Sequence, residues 1–197
     1  MGNAQLLALV AVLGLTLPLM RMRRQHGPGR AVVETWEAFS RQQGLHNRVD
    51  SEDATVYQGT VAGRLARVRR SPGPDGAGLG LAMVTMHVPE APFGLRVVSR
   101  LHGRPSKPVL GKPVLGRLQT GDVEFDAVFE CSCPDPAPAL RYLNSKRRQA
   151  LMHLLRRADR VCLERRGLSA SRSGDLSSKA HLANLFNGAG SAAERLG

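Results

Sequence analysis

Thr55-Val-Tyr-Gln-Gly-Thr-Val-Ala-Gly-Arg-Leu-Ala-Arg-Val-Arg-Arg70 is the stretch on which the fold class turns. Val56–Val61 and Arg64–Arg70 flank Ala62-Gly63, a pattern that predicts two antiparallel strands joined by a two-residue turn. The following Ser-Pro-Gly-Pro-Asp-Gly-Ala-Gly (71–78) is a loop. Gly76, Gly78 and Gly80 invite comparison with a phosphate-binding loop, but that motif needs a strand before it and a helix after it. Here Pro72 and Pro74 precede the glycines and the strand-like Leu79–Val88 follows, so the segment reads as a hairpin connection. Upstream, residues 25–30 read as a linker. Ala31–Gln43 carries Val32, Trp36 and Phe39 at helical spacing, with Gly44 as the stop. Trp36, the single tryptophan, is assigned to the core.

Working downstream, Phe93–Leu101 is a further strand. Residues 107–116 repeat Lys-Pro-Val-Leu-Gly twice, a duplication in a loop whose Pro108 and Pro113 disfavour a central strand. Val123–Cys133 alternates Val123, Phe125, Ala127, Phe129, Cys131 and Cys133 with Glu124, Asp126, Val128, Glu130 and Ser132. That two-residue period predicts a strand with one apolar and one mainly acidic face. Asp135-Pro136 opens a helical region that breaks at Asn144-Ser145 and resumes to about Arg157, with Leu151, Leu154, Leu155 and Ala158 as its buried stripe. Val161–Leu163 reads as a short last strand. From Ser169 the chain turns rich in Ser, Gly and Ala, and one short helix is predicted near 175–186, ended by Asn187-Gly188.

The N-terminal run is of a different kind. Gly2–Met20 holds no charged side chain, and Leu6–Met20 is almost wholly apolar. A membrane helix needs about 20 such residues, so this run predicts a short single span. A cleaved signal peptide competes, but Met1–Gln5 carry no Lys or Arg and no Ala-x-Ala site follows. Leu6 stands where a myristoylation signal wants Ser or Thr. Arg21, Arg23, Arg24 and Arg30 follow the span and predict a cytoplasmic domain, in a chain held at the inner membrane. The expected organisation is therefore an anchor with basic flank (1–24), a cytoplasmic domain (25–168) and a flexible tail with one short helix (169–197). The fold class is α+β: a mostly antiparallel sheet with flanking helices, preceded by one transmembrane helix.

Composition bounds the rest. The 197 residues are 42% hydrophobic but only 4% aromatic, so aliphatic side chains must build the core. The formal charge is +12, from 28 Lys+Arg against 16 Asp+Glu. Such a chain suits polyanions, although an arginine-rich solvated surface accounts for the same excess. Three cysteines without framework spacing exclude a disulfide-stapled module.

Trp36-x-x-Phe39, Gly44-Leu45, Gly59, Gly63, Thr120-Gly121-Asp122-x-x-Phe125-Asp126-x-x-Phe129 and a leucine-rich helix pair ending at Leu155 together resemble a bacterial domain-of-unknown-function family of membrane-associated proteins. The resemblance covers about residues 31–165, and its specificity lies in the Thr-Gly-Asp-x-x-Phe-Asp stretch. It implies membrane anchoring and supplies no catalytic residues. The short leading helix and the tandem repeat depart from it.

Three constellations compete for a role. Asp122, Glu124 and Asp126, with Glu130, form an acidic cluster that could bind metal or serve acid–base chemistry; cross-strand pairing with Arg96 and Arg100 explains it equally. Cys131, Cys133, His153 and Cys162 could supply zinc ligands, but Cys-x-Cys on the apolar face of a strand is not knuckle spacing, and buried cysteine behaves as a small hydrophobe. No metal or cofactor is expected. The segment 141–166 concentrates positive charge, and Arg147, Arg148, Arg156 and Arg157 are the candidate residues for an anionic surface. The resulting reading is a membrane-anchored, non-enzymatic interaction domain for a protein partner or the anionic lipid surface. The alternatives are an enzyme using the acidic strand 122–130, or a nucleic-acid-binding basic domain. The aromatics and motifs usual in nucleic-acid binders are missing, which argues against nucleic acid as the partner.

Overall fold

In the computed structural model, residues 28–73, 79–100 and 116–197 are described. The hairpin that sets the fold is β2 (Thr55–Val61) and β3 (Arg64–Pro72), antiparallel with Val61 opposite Arg64. Ala62 and Gly63 both adopt positive φ, 49° and 75°. This is the primed turn whose twist matches that of its strands. β1 (Asn47–Asp50) pairs on the outer side of β2, and β4 (Leu79–His87) on the inner side of β3.

The remaining strands are β5 (Arg96–Ser99), β6 (Arg117–Leu118), β7 (Phe129–Ser132), β8 (Arg160–Glu164) and β9 (Gly167–Asp175). Among the described residues they complete a nine-stranded antiparallel sheet in the order β1-β2-β3-β4-β9-β8-β5-β7-β6. One face is apolar: Ala66 and Val68, Val84 and Met86, Leu168 and Ala170, Val161 and Leu163 are all buried. The other face carries Arg67, Arg69, Thr85, Ser169 and Ser171, exposed or half-buried. One buried and one solvated face is what an antiparallel sheet tolerates.

Helices cover the apolar face. α1 (Pro28–Gln42) buries Val32, Trp36 and Phe39 as their spacing predicts. It begins inside the expected linker, with proline at its first position, where the missing N–H costs nothing. α2 is Val123–Val128, α3 Pro136–Tyr142, α4 Ser145–Leu155 and α5 Lys179–Leu196. Asp135 and Asn144 cap α3 and α4, and the break between those helices falls where the sequence puts it.

Four expectations are corrected. The strand 123–133 is a helix to Val128 and a strand only from Phe129. Asp122 caps the helix through its side chain, and Phe125 and Phe129, four residues apart, stack at 4.7 Å between ring centroids. Second, β8 is not the last strand. β9 follows it and pairs β4 over its full length. Third, residues 169–197 are no flexible tail. Residues 169–175 belong to β9, near the centre of the sheet, and α5 buries Leu182, Leu185, Phe186, Ala189, Ala192, Ala193 and Leu196. Phe186 meets Phe39 edge-on at 5.5 Å. The strand expected over 93–101 shortens to Arg96–Ser99.

Among the described residues no helix is long and apolar enough to cross a membrane. The expected span 2–20 and most of the tandem repeat lie outside those residues.

Candidate functional site

The two ends of the sheet differ. β9 ends at Asp175, beside the start of β4 at Leu79. Trp36 Nε1 donates to the Leu176 carbonyl at 2.8 Å, which fixes the middle of α1 at that end. Toward its other end α1 approaches the β2–β3 turn, where Gln43 lines a cleft with Val61, Ala62 and Arg64. The start of α1 therefore lies toward the Asp175 end, with Val32 still in the core.

α4 runs the opposite way. Its N-terminus follows Tyr142, whose hydroxyl donates to the Leu196 carbonyl at the end of α5, 2.8 Å away. Its C-terminus leads through Arg156, Arg157 and Asp159 into β8. There the Asp159 backbone N–H donates to Ser171 O and the Asp159 carboxylate accepts from Ser173 N at 2.7 Å. The four arginines expected on one face are thus split. Arg147 lies over the Tyr142 ring, 4.3 Å from its centroid, and donates to the Tyr142 carbonyl. Arg148 donates to Asp122 Oδ2 at 2.9 Å and to the Leu143 carbonyl. Arg156 and Arg157 are exposed, at the end where α1 begins.

The acidic residues are occupied by capping. Asp122 Oδ1 accepts from Phe125 N at 3.1 Å, and its other oxygen takes Arg148. The Phe125 amide first, then the Arg148 guanidinium, hold the Asp122 carboxyl below its usual range. Asp126 accepts from Thr120 N, Thr120 Oγ1 and Gly121 N at 2.9–3.2 Å. Glu124 is exposed on α2. With 123–128 helical, the shared acidic strand face does not form.

Cys131 and Cys133 are buried and unbridged, while Cys162 is half-buried. Burial pushes the Cys131 thiol up to about 12. His153 is exposed on α4. Among the described residues no three His, Cys, Asp or Glu side chains gather as metal ligands.

Two features went unnoticed in the sequence. Phe93 is 89% exposed on a turn closed by Leu95 N donating to Pro92 O, with Ala91 and Leu95 buried on either side. That turn precedes β5, at the end opposite Asp175. Pro92 and Gly94 around a lone aromatic were its signal. The second is a cleft of about 190 Å³ between α4 and α5, with His153, Arg157, Ser191 and Arg195 among its lining. It was hidden because Asn187-Gly188 looked like a helix end.

No family model matches the chain, and no curated protein matches it significantly. Among solved structures its fold is similar to the crystal structure of the mycobacterial trehalose monomycolate transport factor A, TtfA. The TM-score is 0.55 and the identity 12%, over 87% of this chain and 95% of that one. At that identity the likeness is one of fold.

Proposed function

We propose that the chain is a membrane-anchored, non-enzymatic interaction domain, held at the inner membrane by residues 2–20 with its folded part in the cytoplasm. The observation that carries the reading is the placement of Arg156 and Arg157 at the end of the sheet where α1 begins. Residues 21–27 can span at most roughly 25 Å when fully extended. The tether therefore keeps that end close to a surface of negative potential, where each nearby Lys or Arg gains about 1 kcal/mol. Arg147 and Arg148 leave the lipid-facing set, because their guanidiniums serve Tyr142, Leu143 and Asp122.

The opposite end supports a protein partner. It presents Phe93 with Arg165 and Arg166, the exposed residues of the β8–β9 turn. The Arg166 carbonyl accepts from Val88 N at the start of the loop that carries Phe93, which ties the two turns together. An exposed aromatic beside arginines is the side-chain chemistry of interface anchors. The structural neighbour is a mycobacterial transport factor, which is consistent with a membrane-associated, non-enzymatic role.

The test is fractionation of lysed cells. The full-length chain should sediment with membranes and resist an alkaline carbonate wash. Leu9→Arg together with Leu13→Arg should release it. Wild-type chain in the supernatant would refute the anchor.

A further inference from the structure

α4 and α5 pack antiparallel, and small residues set how closely they approach. Leu154 and Arg157 lie over Gly188. A Cβ added there would come within 3.1 Å of Arg157 Cδ and 3.4 Å of Leu154 Cδ1. Gly188 and Ala192 leave a slot of about 190 Å³, the space of roughly six water molecules. His153 on α4 and Arg157 in the turn that follows it line one side of this slot, and Ser191 and Arg195, at i, i+4 spacing on α5, line the other. Ser191 and Arg195, so spaced, share one face of α5. No carboxylate lines the slot.

The two guanidiniums contrast with those at the far end of α4. Arg148 is paired with Asp122, and Arg147 is spread over Tyr142. Arg157 and Arg195 make no side-chain ion pair or hydrogen bond among the described residues. Two unpaired cations facing one concave space repel each other, and an oxyanion placed between them removes that cost. Guanidinium forks match the oxygens of a phosphate. Ser191 supplies a neutral donor and His153 a further ring N–H.

We propose that the α4–α5 cleft binds a phosphate-type anion between Arg157 and Arg195. The ligand is either free phosphate or the phosphodiester of an anionic lipid headgroup. The two sources share this chemistry, and the apolar floor of Leu154 and Ala192 accepts the carbon that a headgroup would bring. The site shares Arg157 with the membrane-facing end, adds Ser191 and Arg195 from α5, and does not depend on the anchor.

The experiment uses the full-length chain in uncharged detergent and follows its thermal unfolding. Inorganic phosphate is titrated against chloride at matched ionic strength, and phosphatidylglycerol against phosphatidylcholine in the micelle. A ligand held by the folded state alone raises the melting temperature as it saturates. A rise with inorganic phosphate assigns a soluble ligand; a rise with phosphatidylglycerol alone assigns a headgroup. Either supports the site. Arg157→Gln and Arg195→Gln should each weaken the apparent affinity on the order of tenfold, as expected for losing a hydrogen bond to a charged group. Gly188→Ala should weaken it by displacing Arg157, while Lys146→Gln, exposed in the first turn of α4 and outside the cleft, should leave it unchanged. If a variant melts too early to titrate, equilibrium dialysis of labelled phosphate or short-chain phosphatidylglycerol below its melting point gives the same comparison. No response to either anion overturns the proposal, as does an equal response in wild type and both arginine variants. Membrane fractionation is indifferent to these substitutions, so the two proposals fail separately.

Discussion

Asp122 shows how one side chain can be misread by type and still be correctly singled out. It caps α2 through Phe125 N and holds Arg148 from α4, so it joins two elements far apart in sequence. Its folded-state carboxyl is depressed, by the amide first and the guanidinium second. A depressed carboxylate contributes stability above its ordinary range, and that contribution is lost as pH falls through the lowered value. Asp122→Ala should therefore lower the melting temperature at neutral pH, and the gap to wild type should narrow steadily in acid. A gap that stays constant from neutral to strongly acid solution would mean that the charge contributes nothing. The residue was visible in the sequence as an acid at a turn. Its role was not, because Phe125 and Phe129 fit a two-residue period and a four-residue period equally. Val123, 84% exposed, is the residue that the strand reading placed on the wrong face. Cys131 and Cys133 escaped the ambiguity, since both follow the point where the strand begins.

At the scale of elements, the misreadings share a cause: local signals overridden by packing. The β8–β9 turn is Arg165-Arg166, with φ of 52° and 60°. Turns of this kind ordinarily announce themselves with Asn-Gly or Asp-Gly, and two arginines give no such warning. β9 (Gly167–Asp175) has the composition of a linker, yet it lies between β4 and β8, where small side chains suffice. Asn187-Gly188 stops an isolated helix, and each helical glycine costs about 1 kcal/mol relative to alanine. α5 continues because Gly188, Ala189, Ala192 and Ala193 are where it is buried. By contrast β2, β3 and α1 were legible, because turn chemistry, period and burial agreed there. The role of α5 can be measured. Phe186→Ala should cost about 3–5 kcal/mol in denaturant unfolding, the usual penalty for emptying a buried aromatic site. A change within about 0.5 kcal/mol is what an exposed tail would give, and it would remove α5 from the core.

For the whole molecule, the proposed reading makes the sheet a spacer. β9 alone, nine residues long, spans about 30 Å at roughly 3.3 Å per residue. One end carries the start of α1 with Arg156 and Arg157; the other carries Phe93 with Arg165 and Arg166. On the proposed reading, a tether at one end and an anchor residue at the other suit a domain that reaches from the bilayer to a partner. None of this could be read from the sequence, because strand order and helix direction decide which arginines share an end. The direct measurement is energy transfer from a dye on the full-length protein in vesicles to acceptors in the bilayer. The dye is placed at Arg156→Cys or at Phe93→Cys, each with Cys162→Ser; Cys131 and Cys133 are buried. Transfer should be strong from position 156 and weak from position 93. Equal transfer from both, the reverse order, or no transfer from either would contradict the account.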